Sequence, residues 1–157
     1  DDLGKIVRAH IHIEHELQEL IFIAAPNPTH LKPFERMEFS EKVQLALVLG
    51  LNAELKAALN ATGNLRNKFS HRLDMKIGEE EVSNLIATLP SPAKQQFETL
   101  LRIALSDLPN TPALEGEALS YFNSQIKATV FLIQMFDEVA KERHRLAFEK
   151  MQRMARK

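Results

Sequence analysis

The pattern of residues along this chain leaves little room for β-structure. Glycine occurs only five times in 157 residues, runs of β-branched residues are short, and no Asn-Gly or Asp-Gly pair separates two alternating segments. Such features are the usual signals of strands and hairpins. The sequence therefore predicts an all-α fold, a helical bundle of about five to six helices with a long C-terminal helix.

Local signals predict where the helices begin and end. The first helix is expected at 3–25, because Pro26 follows it. Ser40 is expected to cap a second helix that Gly50 ends, and Asn52 to cap a third that ends near residue 73. Further helices are expected at 79–89, 91–108 and from 115 to the C-terminus, with a loop at 26–38 and a turn from Pro109 to Pro112.

Composition narrows the class of protein. Apolar residues make up 45% of the chain, which is typical of a globular protein, and we expect one domain over residues 1–157. No apolar run reaches the length of a membrane span. The absence of cysteine excludes disulfides, thiolate metal sites and a cysteine nucleophile. Since no export signal is recognisable, the cytoplasm is the expected location.

Charge is unevenly distributed along the chain. The formal net charge is −1, but residues 141–157 carry +5 and the remainder therefore carries −6. A basic C-terminal helix on an acidic body is suited to nucleic acid or to a second copy of the chain. The alternative is a solvated helix end, whose cations suit the negative end of the helix dipole.

The first helix carries a histidine and a carboxylate on its inner face. His10 and Glu14 are four residues apart and therefore neighbours on a helix. His12 and His15 point the other way, and the segment fits neither of the helical zinc patterns. We therefore expect no metal or other cofactor, and we interpret His10 and Glu14 as a buried supporting pair.

The third helix places a charge in an apolar stripe. On a helical wheel, Arg66 lies within about 40° of the stripe that contains Leu59 and Phe69. A buried guanidinium must be paired, because an uncompensated charge in the core destabilises the fold. Glu14 is its expected partner if the first and third helices pack together, and Glu38 and Asp74 are further candidates. Gly63 in the same helix would permit such a close approach.

Arg66, Asn67 and His71 are candidate catalytic residues for RNA cleavage. In-line attack by a 2′-hydroxyl needs a general base and a general acid, roles that imidazoles perform, and a cation to stabilise the phosphate. Asn67 and His71 are helical neighbours, so the amide could orient the imidazole. Arg66 and His71 are about 140° apart on a straight helix. Both reach one phosphate only if the helix unwinds after Phe69 or if two copies form a composite site.

This segment resembles the signature of the HEPN superfamily. The resemblance depends on Arg66, the polar Asn67 that follows it, and His71, placed at the end of a bundle helix. Members are all-α domains, commonly dimeric, and many are metal-independent ribonucleases of toxin and defence systems. The resemblance implies that Arg66 and His71 are catalytic, that Asn67 supports them, and that RNA is the substrate.

A longer stretch, from Phe39 to about Val82, is similar to the mannitol operon repressor family and its HEPN-like relatives. It combines a helix ending in Leu49-Gly50 with the segment from Leu65 to His71. Members of that family act in transcription regulation, which implies a non-catalytic regulator that binds protein or nucleic acid. A third possibility is a helical interaction module in which Arg66 is purely structural.

Apolar residues outside the predicted core indicate a partner. Ile11, Phe22 and Ile23 lie off the inner face of the first helix, and the last helix is apolar on nearly every side at 128–136. A single bundle of this size would leave one of these surfaces uncovered. The sequence therefore predicts a two-fold homodimer.

Overall fold

The computed structural model describes residues 2–72, 74–108 and 114–157. Over these ranges the chain forms a bundle of six α-helices and no strand, which confirms the predicted all-α fold with a long C-terminal helix. The helices are α1 (Asp2–Ala24), α2 (Phe39–Val48), α3 (Lys56–His71), α4 (Glu79–Ala87), α5 (Ser91–Ser106) and α6 (Glu117–Ala155). Short 3-10 turns occur at Pro28–His30, Phe34–Arg36 and Ala53–Leu55.

The ends of α2 follow from local chemistry. Glu38, not the predicted Ser40, is the N-cap residue of the helix, and the carboxylate of Glu41 three residues later accepts its backbone N–H. The Glu38 amide donates to Glu41 Oε2 at 2.7 Å. Gly50 follows the helix with a φ of 116°, a conformation that favours glycine. Its predicted place just beyond the helix is confirmed.

The start of α3 also agrees with the prediction. The Asn52 side chain accepts a hydrogen bond from the Glu54 backbone N–H at 3.1 Å and so caps the 3-10 turn that leads into α3. Helix α5 begins at Ser91, the predicted first residue, after Pro90. The turn predicted from Pro109 to Pro112 lies outside the described residues.

Helix α6 is the centre of the bundle and packs against α1, α3, α4 and α5. It runs in the same direction as α1, because His12, Glu16 and Ile23 of α1 contact successive positions of α6. Its middle segment buries most of its side chains, as its apolar composition predicted. Those buried between 128 and 135 are Ala128, Val130, Phe131, Leu132, Gln134 and Met135. Across the described ranges, no helix combines the length and apolar character needed to cross a bilayer.

Candidate functional site

Helix α3 is amphipathic, with apolar residues on one side and polar residues on the other. One side packs into the core and contains Ala58, Leu59, Thr62, Leu65 and Phe69. The other side carries a row of exposed polar residues at the spacing i, i+4, i+7, i+11, so that they lie one above another on the helix. We call this row the α3 stripe; it consists of Asn60, Asn64, Asn67 and His71.

Arg66 lies beside the α3 stripe and is exposed, so its predicted burial in the core is wrong. Its Nη1 donates a hydrogen bond to Asn67 Oδ1 at 3.2 Å. The predicted ion pair with Glu14 is also wrong: Glu14 Oε1 accepts from Lys42 Nζ at 2.6 Å. Lys42 comes from α2, which packs on both α1 and α3. The partly buried carboxylate of Glu14 therefore has a cation from another helix, and Arg66 is left at the surface.

His10 and Glu14 lie together on α1, as predicted, but they do not form a hydrogen bond. The distance from His10 Nδ1 to Glu14 Oε2 is 3.9 Å, beyond hydrogen-bonding range. The His10 ring is 2% exposed, and its centroid lies 4.4 Å from that of Phe39. Burial lowers the pKa of His10 to about 4; Glu14 opposes this effect, and Arg66 and Lys42 add to it. His10 is therefore a neutral, buried imidazole at neutral pH.

His71 is the last residue of α3 and opens onto a cleft of about 650 Å³. We call this the His71 cleft; it is lined by Asn64, Asn67, Lys68, His71, Arg72, Met75 and Glu81. Lys68 pairs with Glu81 at 2.9 Å. In the part of the chain that the structure describes, His71 and Arg72 have no ion-pair partner, so the cleft is open to an anion.

Arg66 opens onto a different cleft of about 360 Å³, which we call the Arg66 cleft. Its floor contains His10, Phe39 and Gly63, and it shares Asn64 and Asn67 with the His71 cleft. The two clefts therefore flank the α3 stripe. The helix remains regular as far as His71, so the predicted alternative of unwinding after Phe69 is wrong. Within one chain, Arg66 lines one cleft and His71 lines the other.

Asn67 is one of two residues, with Asn64, that line both clefts. The prediction was that its amide could orient His71, whereas in the structure its oxygen holds Arg66. Asn60 and Asn64, which were not among the predicted functional residues, continue the row toward the start of α3. The signal was present in the sequence as the spacing of three asparagines and a histidine on one side of a helix. Whether this row of side chains can contact a ligand depends on its exposure to solvent, which the sequence did not show.

The basic C-terminal segment is largely used within the chain. Arg143 pairs with Glu16 of α1 at 2.6 Å, and Lys150 Nζ donates to the Ile23 carbonyl at 2.8 Å. Arg145 pairs with Glu142 at 2.6 Å and also donates to a backbone carbonyl. These contacts attach α6 to its neighbours. The cations beyond them, Arg153, Arg156 and Lys157, are exposed at the helix end.

The outer surface of α1 and α6 is unusually apolar. Ile11 and Phe22 of α1 are 55% and 51% exposed, and Ile133 and Phe136 of α6 are 52% and 38% exposed. The two helices meet where the His12 ring lies edge-on to Phe136, at 6.4 Å between centroids. We call this surface the α1/α6 face; toward the C-terminus it continues into Phe148, Met151 and Met154, all more than half exposed.

Comparisons with known proteins give no relative for this chain. No protein family, no curated protein and no solved structure matches it.

Proposed function

We propose that this protein is a metal-independent endoribonuclease that acts as a two-fold homodimer, with Arg66 and His71 as its catalytic residues and Asn67 as a positioning residue. The observation that carries the proposal is the exposure of Arg66 without a carboxylate partner among the described residues. An arginine used only for stability would be expected in a buried pair, and Lys42 already fills that role for Glu14. A guanidinium left open beside a row of amides is suited to phosphate, which it can bind with two parallel hydrogen bonds.

The proposed reaction is transesterification at one phosphodiester. One His71 removes the proton of the 2′-hydroxyl, the O2′–P bond forms, and the P–O5′ bond breaks. A second imidazole gives its proton to the leaving O5′, so that the products carry a 2′,3′-cyclic phosphate and a 5′-hydroxyl. Arg66 stabilises the charge that develops on the phosphate oxygens.

The separation of the two clefts is the reason for proposing a dimer. Since Arg66 and His71 line different clefts, we infer that one chain does not present both to one phosphate. Two copies related by a two-fold axis supply two imidazoles and two guanidinium groups to a shared cleft. The α1/α6 face supports this proposal, because exposed apolar patches of this kind are typical of protein interfaces.

RNA cleavage in EDTA tests the proposal. Wild-type protein should produce 2′,3′-cyclic phosphate ends, and His71→Ala and Arg66→Ala should each lower the rate at least about 100-fold, the usual contribution of a catalytic acid or base. Matched controls are His30→Ala and Arg102→Ala, which remove an exposed histidine and an exposed arginine elsewhere. Equal activity of His71→Ala and His30→Ala would exclude His71 as catalytic.

Sedimentation of the same preparations tests the dimer. The wild type should be dimeric at micromolar concentration, and Phe136→Glu should give monomers that do not cleave RNA. A monomer that cleaves RNA would overturn the composite site and leave the ribonuclease itself in place.

A non-catalytic transcription regulator is the second candidate, and the internal pairing of the basic C-terminal segment favours it. Nucleic-acid-binding proteins usually present a continuous basic surface. Here Arg143, Arg145 and Lys150 are engaged within the chain, which leaves a smaller basic surface than the sequence indicates. A folded dimer that neither cleaves RNA nor shows salt-dependent binding to it would favour this alternative, with a protein as the partner.

A further inference from the structure

The Arg66 cleft has the chemistry of a binding site as well as the guanidinium that the proposed reaction uses. Its volume of about 360 Å³ lies within the range of small-molecule sites. Asn60, Asn64 and Asn67 line one wall, and their Cα atoms span about 10 Å along the axis of α3. Ser40 lines another part of the cleft. Amide groups at this spacing present several donors and acceptors to a single ligand.

The floor of the cleft is aromatic, and it depends on a glycine. A Cβ added at Gly63 would lie 2.8 Å from Phe39 Cδ1, so only glycine allows the Phe39 ring to lie directly against α3. The ring is partly exposed, and the buried His10 packs against it. An apolar ring beside hydrogen-bonding walls is the arrangement by which proteins hold unpaired bases.

Two charged side chains that line the Arg66 cleft, Arg66 and Glu38, should determine how a ligand is oriented in it. Arg66 carries the positive charge and is open to a phosphate. The carboxylate of Glu38, which caps α2, also lines the cleft and repels anions. His10 Nε2 is buried and has no hydrogen-bond partner among the described residues. Because His10 is neutral, Arg66 is the cation of this cleft at neutral pH.

We propose that the Arg66 cleft holds one unpaired nucleotide of the RNA, with its phosphate on Arg66, its base against Phe39 and the edge of the base on Asn60 and Asn64. This assignment rests on the proposed ribonuclease function and adds a specificity site to it. The asparagines contact the base and not the reacting phosphate. Asn60 and Asn64 therefore determine which nucleotide binds beside the cleavage site.

The test uses wild-type protein in EDTA and small probes that cannot be cleaved. The four ribonucleoside 5′-monophosphates are titrated beside ribose 5-phosphate and inorganic phosphate, and the side-chain amide and guanidinium signals are followed by NMR. At least one nucleotide should bind about fivefold or more tightly than ribose 5-phosphate, an effect equal to about one hydrogen bond. Asn60→Ala should remove that preference, and Asn27→Ala, which changes an exposed asparagine in the loop before α2, should not.

The outcomes separate this inference from the proposed function. Equal binding of ribose 5-phosphate and all nucleotides, or shifts confined to the His71 cleft, would overturn the nucleotide site. Base-dependent binding at Asn60 in a dimer that does not cleave RNA would overturn the ribonuclease and retain the nucleotide site. If both hold, Asn60→Ala should raise KM or change the preferred cleavage sequence, while His71→Ala lowers kcat.

Discussion

Two sets of polar side chains differ in their exposure to solvent. One set lies between α1 and α2 and is largely buried, and the other lies at the end of α3 and is exposed. Lys42 and Glu14 are paired at 2.6 Å and Lys42 is 4% exposed, and the neighbouring His10 is 2% exposed. Arg66 and His71 are exposed and have no carboxylate partner among the described residues. In the first set, the charges of Lys42 and Glu14 are paired with each other. The second set is accessible from solvent.

This difference teaches where to look for function in the chain. A buried charge that lacks a partner is costly, so the fold supplies a partner, and the pair then reports on stability. An exposed charge costs little in either state, so its position need not serve the fold. The buried set should therefore control unfolding, and the α3 stripe with Arg66 should control binding and catalysis.

Among the substitutions, the largest effect on stability is expected at Lys42. Replacing it by alanine in Lys42→Ala leaves the partly buried Glu14 without its cation and should lower the free energy of unfolding by about 1.5–3 kcal/mol, the usual value of a hydrogen bond to a charged group. Urea denaturation measures it. Lys32→Ala is the matched control, since Lys32 and Glu41 are both half exposed and 3.6 Å apart. Equal losses in the two variants would contradict the comparison.

Lowering the pH should also destabilise the folded protein, through the buried His10. The unfolded chain binds a proton at His10 near pH 6.5 and the folded protein only near pH 4, so acidification between these values favours the unfolded state. Stability should fall through this window by at most about 1.4 kcal/mol per pH unit. Unfolding curves at several pH values would show it. His10→Gln should flatten the profile and His30→Gln should not; identical profiles would refute this assignment.

A smaller effect on stability is expected at Gly63, where Phe39 of α2 packs against α3. Gly63→Ala places a Cβ against Phe39, and overpacking of about 1–3 kcal/mol should exceed the gain of about 1 kcal/mol from removing a helical glycine. We expect a net loss of about 1 kcal/mol in thermal unfolding. In a Phe39→Leu background the same change should cost less. A gain in stability from Gly63→Ala alone would show that Phe39 is free to move.

The smallest effect is expected at the exposed set. Arg66→Ala and His71→Ala should each change the free energy of unfolding by no more than about 0.5 kcal/mol, because surface substitutions remove few contacts. Circular dichroism and urea denaturation check both. A loss above about 2 kcal/mol for Arg66→Ala would restore the structural interpretation of that residue and remove the main support for catalysis.

Much of the fold could be predicted from the sequence because helix signals are local. Asn52 and Gly50 lie where turn and cap preferences indicate, and the apolar middle of α6 lies at the centre of the bundle. The cap of α2 was assigned to Ser40 because serine is a common N-cap. The N-cap is Glu38 instead, and the Glu41 carboxylate accepts its backbone N–H.

The site was predicted less well than the fold. A helical wheel shows on which side of a helix a residue lies, but it does not show whether other residues pack over that side. Arg66 does lie near the apolar stripe of α3 in angle, but no neighbouring side chain covers it, so it reaches solvent. The same limitation applies to the basic C-terminal segment. Its charge was visible in the sequence, while the pairing of Arg143 with Glu16 required knowing that α1 and α6 lie side by side.

The sequence by itself determined the helical class, most helix ends, and the row of asparagines with His71 on one side of α3, since all of these depend on residues close together in the chain. Only the tertiary structure decided which charges are paired. Glu14 finds Lys42 across 28 residues, and Arg143 finds Glu16 across 127. Pairing depends on distance and burial in three dimensions, and no local pattern encodes either.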